Sequence, residues 1–145
     1  MRDDKDTAIK KYLQSRAEQL KELSPFKATR YKDACLSKID FDQEDSELLS
    51  RWIAAPKDIL YLYSPPGVGK TYFCSAIYNH FASKGFYVCF YREGDFFSEL
   101  HRCINEKTSA DYRLSAIAEY EFLMFDDLGS TRSSPDGLNL TGWVS

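Results

Sequence analysis

The chain has no surplus of positive charge. Its 19 Lys and Arg face 22 Asp and Glu, a formal net charge of −3, which excludes a protein that grips nucleic acid over its whole surface. A local patch, or a channel formed between copies, stays compatible with that balance. Histidine is scarce, at 2, and the four cysteines (Cys35, Cys74, Cys89 and Cys103) form no CxxC pair. With His80 and His101 they complete no zinc pattern, so four reduced thiols are expected. No apolar run approaches the roughly 18 residues of a membrane span, and no apolar N-terminal stretch leads to a cleavage site. A cytoplasmic protein without a membrane partner is expected. At 43% hydrophobic and 28% charged residues, the chain is neither disordered nor fibrous in composition, and its length predicts one domain.

What is present begins with a periodic segment. Ile9, Tyr12, Leu13, Ala17, Leu20 and Leu23 recur at steps of three and four over residues 6–24, which predicts a helix with one apolar stripe. Pro25 stops it. The stripe either packs on this chain's own core or docks on a partner protein, so residues 1–25 read as an N-terminal helical segment. Residues 26–31, from Phe26 to Tyr31, are basic and aromatic and read as a solvated connection that could touch nucleotide or nucleic acid. Asp40, Asp42, Glu44, Asp45 and Glu47 read as the acidic start of a second helix, with Leu48, Leu49, Trp52 and Ile53 as its buried face and Pro56 as its end.

The strongest signal follows. Asp58-Ile59-Leu60-Tyr61-Leu62-Tyr63 reads as a buried parallel strand, Ser64-Pro65-Pro66-Gly67-Val68-Gly69-Lys70-Thr71 as a phosphate loop, and the stretch to about Lys84 as a helix closed by Gly85. Gly67 and Gly69 let the chain curl with no Cβ in the way, so that free backbone N–H groups at a helix N-terminus face phosphate. Lys70 is expected to reach the β- and γ-phosphates of a nucleotide, and the Thr71 hydroxyl to ligate Mg²⁺. Pro66, Val68 and Tyr72 complete the expected ATP-binding set. Ser64 stands where the strict pattern has glycine.

Phe86–Tyr91 reads as a second strand. Helical stretches follow over about 95–105 and 109–120; Phe96, Phe97, Leu100, Cys103 and Ile104 suit the inner side of the first, and Asp95 its cap or first turn. Glu121–Asp127 reads as a third strand that delivers two carboxylates at its C-terminal end, the edge where open α/β sheets place ligands. Asp126 would hold Mg²⁺, and Asp127 would be the base that orients the attacking water. Adjacent strand residues point oppositely, so the two carboxylates are assigned different roles.

With these residues in view, the sequence resembles AAA+ ATPases of the DnaC type, which load replicative helicases, and their transposition-helper relatives of the IstB type. The resemblance rests on Phe26–Tyr31, on SPPGVGKT at 64–71, on FLMFDDLG at 122–129 and on Thr141-Gly142-Trp143. It covers residues 26–145 as a partial AAA+ core: an α/β P-loop NTPase with a parallel sheet and flanking helices, expected to be truncated before the family's fourth strand. Residues 130–140 read as a loop, and the sensor and arginine-finger residues would lie beyond Ser145. The resemblance implies ATP and Mg²⁺ bound by Gly67, Gly69, Lys70, Thr71 and Asp126, with Asp127 at the water-activating position and Lys70 as its catalytic partner. It further implies ATP-dependent homo-oligomers, single-stranded DNA and a replicative helicase as partners. The alternatives are an IstB-like transposition helper and a nucleotide-dependent adaptor that does not hydrolyse ATP. This fragment by itself is expected to be inactive.

Overall fold

The computed structural model describes residues 2–106 and 110–129. The expected loop at 130–140 and helix start at 141–143 lie outside the described residues. Eight elements are described in chain order: α1 (Arg2–Glu22), a 3-10 turn (Leu36–Lys38), α2 (Gln43–Ala54), α3 (Lys70–Ser83), β1 (Val88–Arg92), α4 (Glu93–Asn105), α5 (Ala110–Ala118) and β2 (Phe122–Asp126). β1 and β2 pair in parallel, with Val88 opposite Phe122 and Arg92 opposite Asp126. Helices flank that sheet, in the α/β arrangement expected of a P-loop nucleotide-binding core.

The packing centre is α3. Phe73, Ile77, Tyr78, Phe81 and Ala82 are all buried and cluster with Leu20, Phe26 and Val88. Phe81 stacks on Phe122 of β2 at 3.9 Å between ring centroids. Burying a side chain of this kind is worth about 1.5–3 kcal/mol, so the helix that begins in the phosphate loop is also the element the core is built around.

The N-terminal stripe packs on this chain's own core over its second half only. Leu20 is buried, and its carbonyl accepts a hydrogen bond from the Tyr78 hydroxyl at 3.3 Å. Ile9 and Tyr12 are 55% and 58% exposed, and Leu13 and Leu23 are exposed as well. Where the stripe gives out, a charged residue takes over. The Arg16 guanidinium lies 3.5 Å from the centroid of the Tyr87 ring and donates to Glu121 Oε2 at 3.1 Å.

Several expectations are corrected. Residues 58–63 form no strand: the described sheet contains β1 and β2 alone. A strand is defined by its ladder, and no described segment pairs with these residues. Ile59 is accordingly 94% and Tyr63 87% exposed, and only Leu60 packs against the core. The connection after α1 is not solvated at Phe26, which is buried with its ring 4.8 Å from that of Phe90. In α2, Leu49, Trp52 and Ile53 pack on the core but Leu48 faces out. Asp42 caps this helix, accepting from the Asp45 N–H at 2.8 Å. In α4, Cys103 is buried and Ile104 exposed. That helix starts at Glu93, with Arg92 as its N-cap, so Asp95 sits in its first turn.

Gly85 closes α3 in the left-handed region, at φ +81°, and a Cβ built there would lie 3.0 Å from the Leu13 carbonyl oxygen. The glycine therefore ends one helix and admits the close approach of another. Gly85→Ala combines the left-handed penalty with a backbone clash and should destabilise the fold by about 1–3 kcal/mol. The check is a chemical-denaturation midpoint that falls while the slope stays constant.

Candidate functional site

The phosphate loop runs from Ser64 into α3. Gly67 (φ 84°) and Gly69 (φ 96°) both occupy left-handed backbone. A Cβ at either would meet nothing within 4 Å, so backbone conformation selects glycine here, and the space in front of the loop is open. Gly69 is the N-cap of α3 and supplies no side-chain acceptor to the first turn. The first amides of the helix are thus left for a ligand, at the end where the helix dipole favours negative charge.

Lys70 is curled back over this loop. Its Nζ donates to the Ser64 carbonyl at 2.8 Å, to the Pro65 carbonyl at 2.9 Å and to Ser64 Oγ at 3.3 Å. The serine in place of glycine thus adds an acceptor for the lysine. Thr71 Oγ1 donates to Asp126 Oδ2 at 3.2 Å. The other carboxylate oxygen, Asp126 Oδ1, accepts from the Asp127 N–H at 3.0 Å. Asp126 is 6% exposed, whereas Asp127 faces solvent. Asp127 also has φ 59°, a region that disfavours residues with a Cβ by about 1–2 kcal/mol. The turn after it is tied to the neighbouring element: the Gly129 N–H donates to Glu93 Oε2 at 3.0 Å.

These groups face one groove of about 1050 Å³. Gly67, Lys70, Thr71, Asp126 and Asp127 all line it, together with residues 58–63. A smaller hollow of about 320 Å³ lies beyond Thr71, lined by Phe26, Tyr31, Tyr91 and Arg92 among others. Of the remaining residues expected to bind nucleotide, Pro66 lines the groove and Val68 is 65% exposed. Tyr72 points elsewhere: its hydroxyl accepts from the Cys35 N–H at 3.2 Å, and its ring meets that of Tyr31 edge-on. The Tyr72 side chain therefore buttresses the upstream segment, as do Ser75, which donates to the Tyr31 carbonyl, and Asn79, which donates to the Ala34 carbonyl. Beneath the carboxylates, burial pushes the Cys74 thiol up to about 12, with Asp126 and Asp127 adding to the effect. It is a packing group and not a nucleophile.

No group of three or more His, Cys, Asp or Glu able to hold a metal ion occurs among the described residues. A hydroxyl and a carboxylate 3.2 Å apart nonetheless fit Mg²⁺ bound with a nucleotide. That ion takes hard oxygen ligands and completes its shell with phosphate oxygens and water. The open cradle at Gly67 and Gly69 fits the phosphates themselves.

The family model for IstB-like ATP binding proteins matches residues 8–140. The chain belongs to that family. The match includes most of α1 as well as the phosphate loop and β2, so it begins earlier than the region that carries the resemblance in the sequence. It matches the IstB part of that resemblance better than the helicase-loader part. No curated protein and no solved structure matches this IstB-like chain. Among its described residues, no helix is long and apolar enough to cross a membrane.

Sequence reasoning missed Glu93, the acceptors that Ser64 and Pro65 offer to Lys70, and the inward turn of Tyr72. Glu93 carried a usable signal. It directly follows a strand that pairs in parallel with the acidic one, which places it level with the carboxylates.

Proposed function

We propose that this chain is an ATP-hydrolysing helper protein of the IstB type, which couples nucleotide turnover to assembly on DNA with a transposase. The observation that carries the ATPase part is the 3.2 Å contact between Thr71 and Asp126 across the mouth of the phosphate loop. The two residues are 55 positions apart in sequence, and their contact brings a hydroxyl and a carboxylate together beside the phosphate loop. The family match supports the IstB part.

In this reading the α3 N-terminus and Lys70 bind the triphosphate. Lys70 exchanges its contacts with Ser64 and Pro65 for phosphate oxygens, and Thr71 and Asp126 would be the residues that hold Mg²⁺. The metal, when bound, neutralises charge on the β- and γ-phosphates and orients them. Asp127, solvent-facing beside the buried Asp126, accepts a proton from the attacking water. Copies assemble in an ATP-dependent way, since the family resemblance places the remaining catalytic group on a neighbouring subunit.

The partner is tested by capture. The intact protein is immobilised with a slowly hydrolysed ATP analogue and offered a transposase and a replicative helicase from the same organism, each with and without DNA. Nucleotide-dependent retention of the transposase is the expected result. Retention of the helicase alone would move the protein to the loader class.

A further inference from the structure

We propose that Glu93 is a positioning residue for Asp127, acting through the turn that follows β2. The proposal rests on the ATPase reading above. Asp127 must be held in left-handed backbone, at φ 59°, and Gly129 shares that region at φ 83°. The turn that contains them is solvent-exposed, so packing does little to hold a conformation that aspartate tolerates better than most residues but does not prefer. Two hydrogen bonds brace it. At its start, the Asp127 N–H donates to Asp126 Oδ1 at 3.0 Å; at its end, the Gly129 N–H donates to Glu93 Oε2 at 3.0 Å.

The second brace comes from the adjacent strand. The ladder ends with Arg92 opposite Asp126, and the next residue, Glu93, turns into α4. Its side chain then reaches across the position where the ladder would have continued. It holds the turn from outside, two residues beyond the base. Glu93 also lies in the first turn of α4, where the helix dipole favours its charge. The base is thus referenced to a rigid helix and not to a free loop. A charge-assisted bond to a backbone N–H is among the stronger kinds.

Two substitutions separate the acceptor from the charge. Glu93→Asp keeps the charge but shortens the reach by one methylene. Glu93→Gln removes the charge but keeps an oxygen at the same reach. In the intact protein, kcat for phosphate release should fall about 10-fold or more in E93D, since misplacement by about 1 Å can cost up to 100-fold, and should be restored to within about 3-fold in E93Q. ATP affinity should stay within about 2-fold in both, because the phosphate loop is untouched. Asp127→Asn is measured alongside. Should D127N release phosphate normally, the base assignment itself fails, whatever Glu93 does. With D127N silent, wild-type turnover in E93D overturns the positioning role. A larger loss in E93Q than in E93D would show that charge matters and not the reach of the bond, and a loss of ATP affinity in E93D would make Glu93 a general structural residue; either result overturns the proposal.

Discussion

Lys70→Ala is expected to lower ATP affinity about 10- to 100-fold, because it deletes charge-assisted contacts worth roughly 1.5–3 kcal/mol. The same ammonium donates to the Ser64 and Pro65 carbonyls and to Ser64 Oγ, so nucleotide binding would exchange three neutral acceptors for phosphate oxygens. That exchange keeps the expected loss moderate: the lysine gives something up when it turns to the nucleotide. The loop glycines and the α3 N-terminus remain, so residual binding should persist and should weaken with salt. A fluorescent-nucleotide titration on the folded variant measures both. Wild-type affinity in a folded Lys70→Ala protein would remove the loop from the binding site.

Asp127→Asn should leave ATP binding intact and lower turnover about 100- to 10,000-fold, the span associated with a positioned general base. The amide is nearly the same size and tolerates left-handed backbone about as well as aspartate does, so the turn should be preserved while proton acceptance is lost. Bound ATP and released phosphate are measured on one sample. Retained binding with lost release is the expected pattern. It also separates an ATPase from a nucleotide-dependent adaptor, since an adaptor's wild-type protein would already be silent. Asp126→Asn should behave differently. Asp126 is buried, with both oxygens engaged by Thr71 and Asp127, so its loss should disturb Mg²⁺-dependent binding and the turn together.

The parts of this protein that could be read from sequence are those whose cause is local. SPPGVGKT and the acidic pair name their chemistry directly. Asp42 and Gly85 mark helix ends because a cap and a left-handed residue act within one turn of chain. The failures share the opposite property. Residues 58–63 have a strand's composition, but pairing depends on what lies beside them, and composition does not encode that. The periodicity of α1 predicts one stripe, yet Arg16, a polar residue, does much of the docking through Tyr87 and Glu121. Phe26 and Tyr72 turn inward because of partners on other elements. Glu93 was passed over because its helix was begun two residues late, at Asp95.

The ion pair between Arg16 and Glu121 spans 105 residues of sequence, and that separation bears on the order in which the protein forms. A contact of such range is slow to close. At roughly 5–20 residues per second of synthesis, α1 leaves the ribosome several seconds before its partner Glu121, just ahead of β2, exists. Through that interval Leu20 and the apolar residues near it have no completed surface to meet. α3, whose Tyr78 holds the Leu20 carbonyl from 58 residues away, becomes available first. Docking of α1 should therefore proceed in two stages, Leu20 onto α3 early and Arg16 onto Glu121 late. The nascent chain in between is the species on which a chaperone would have most to hold.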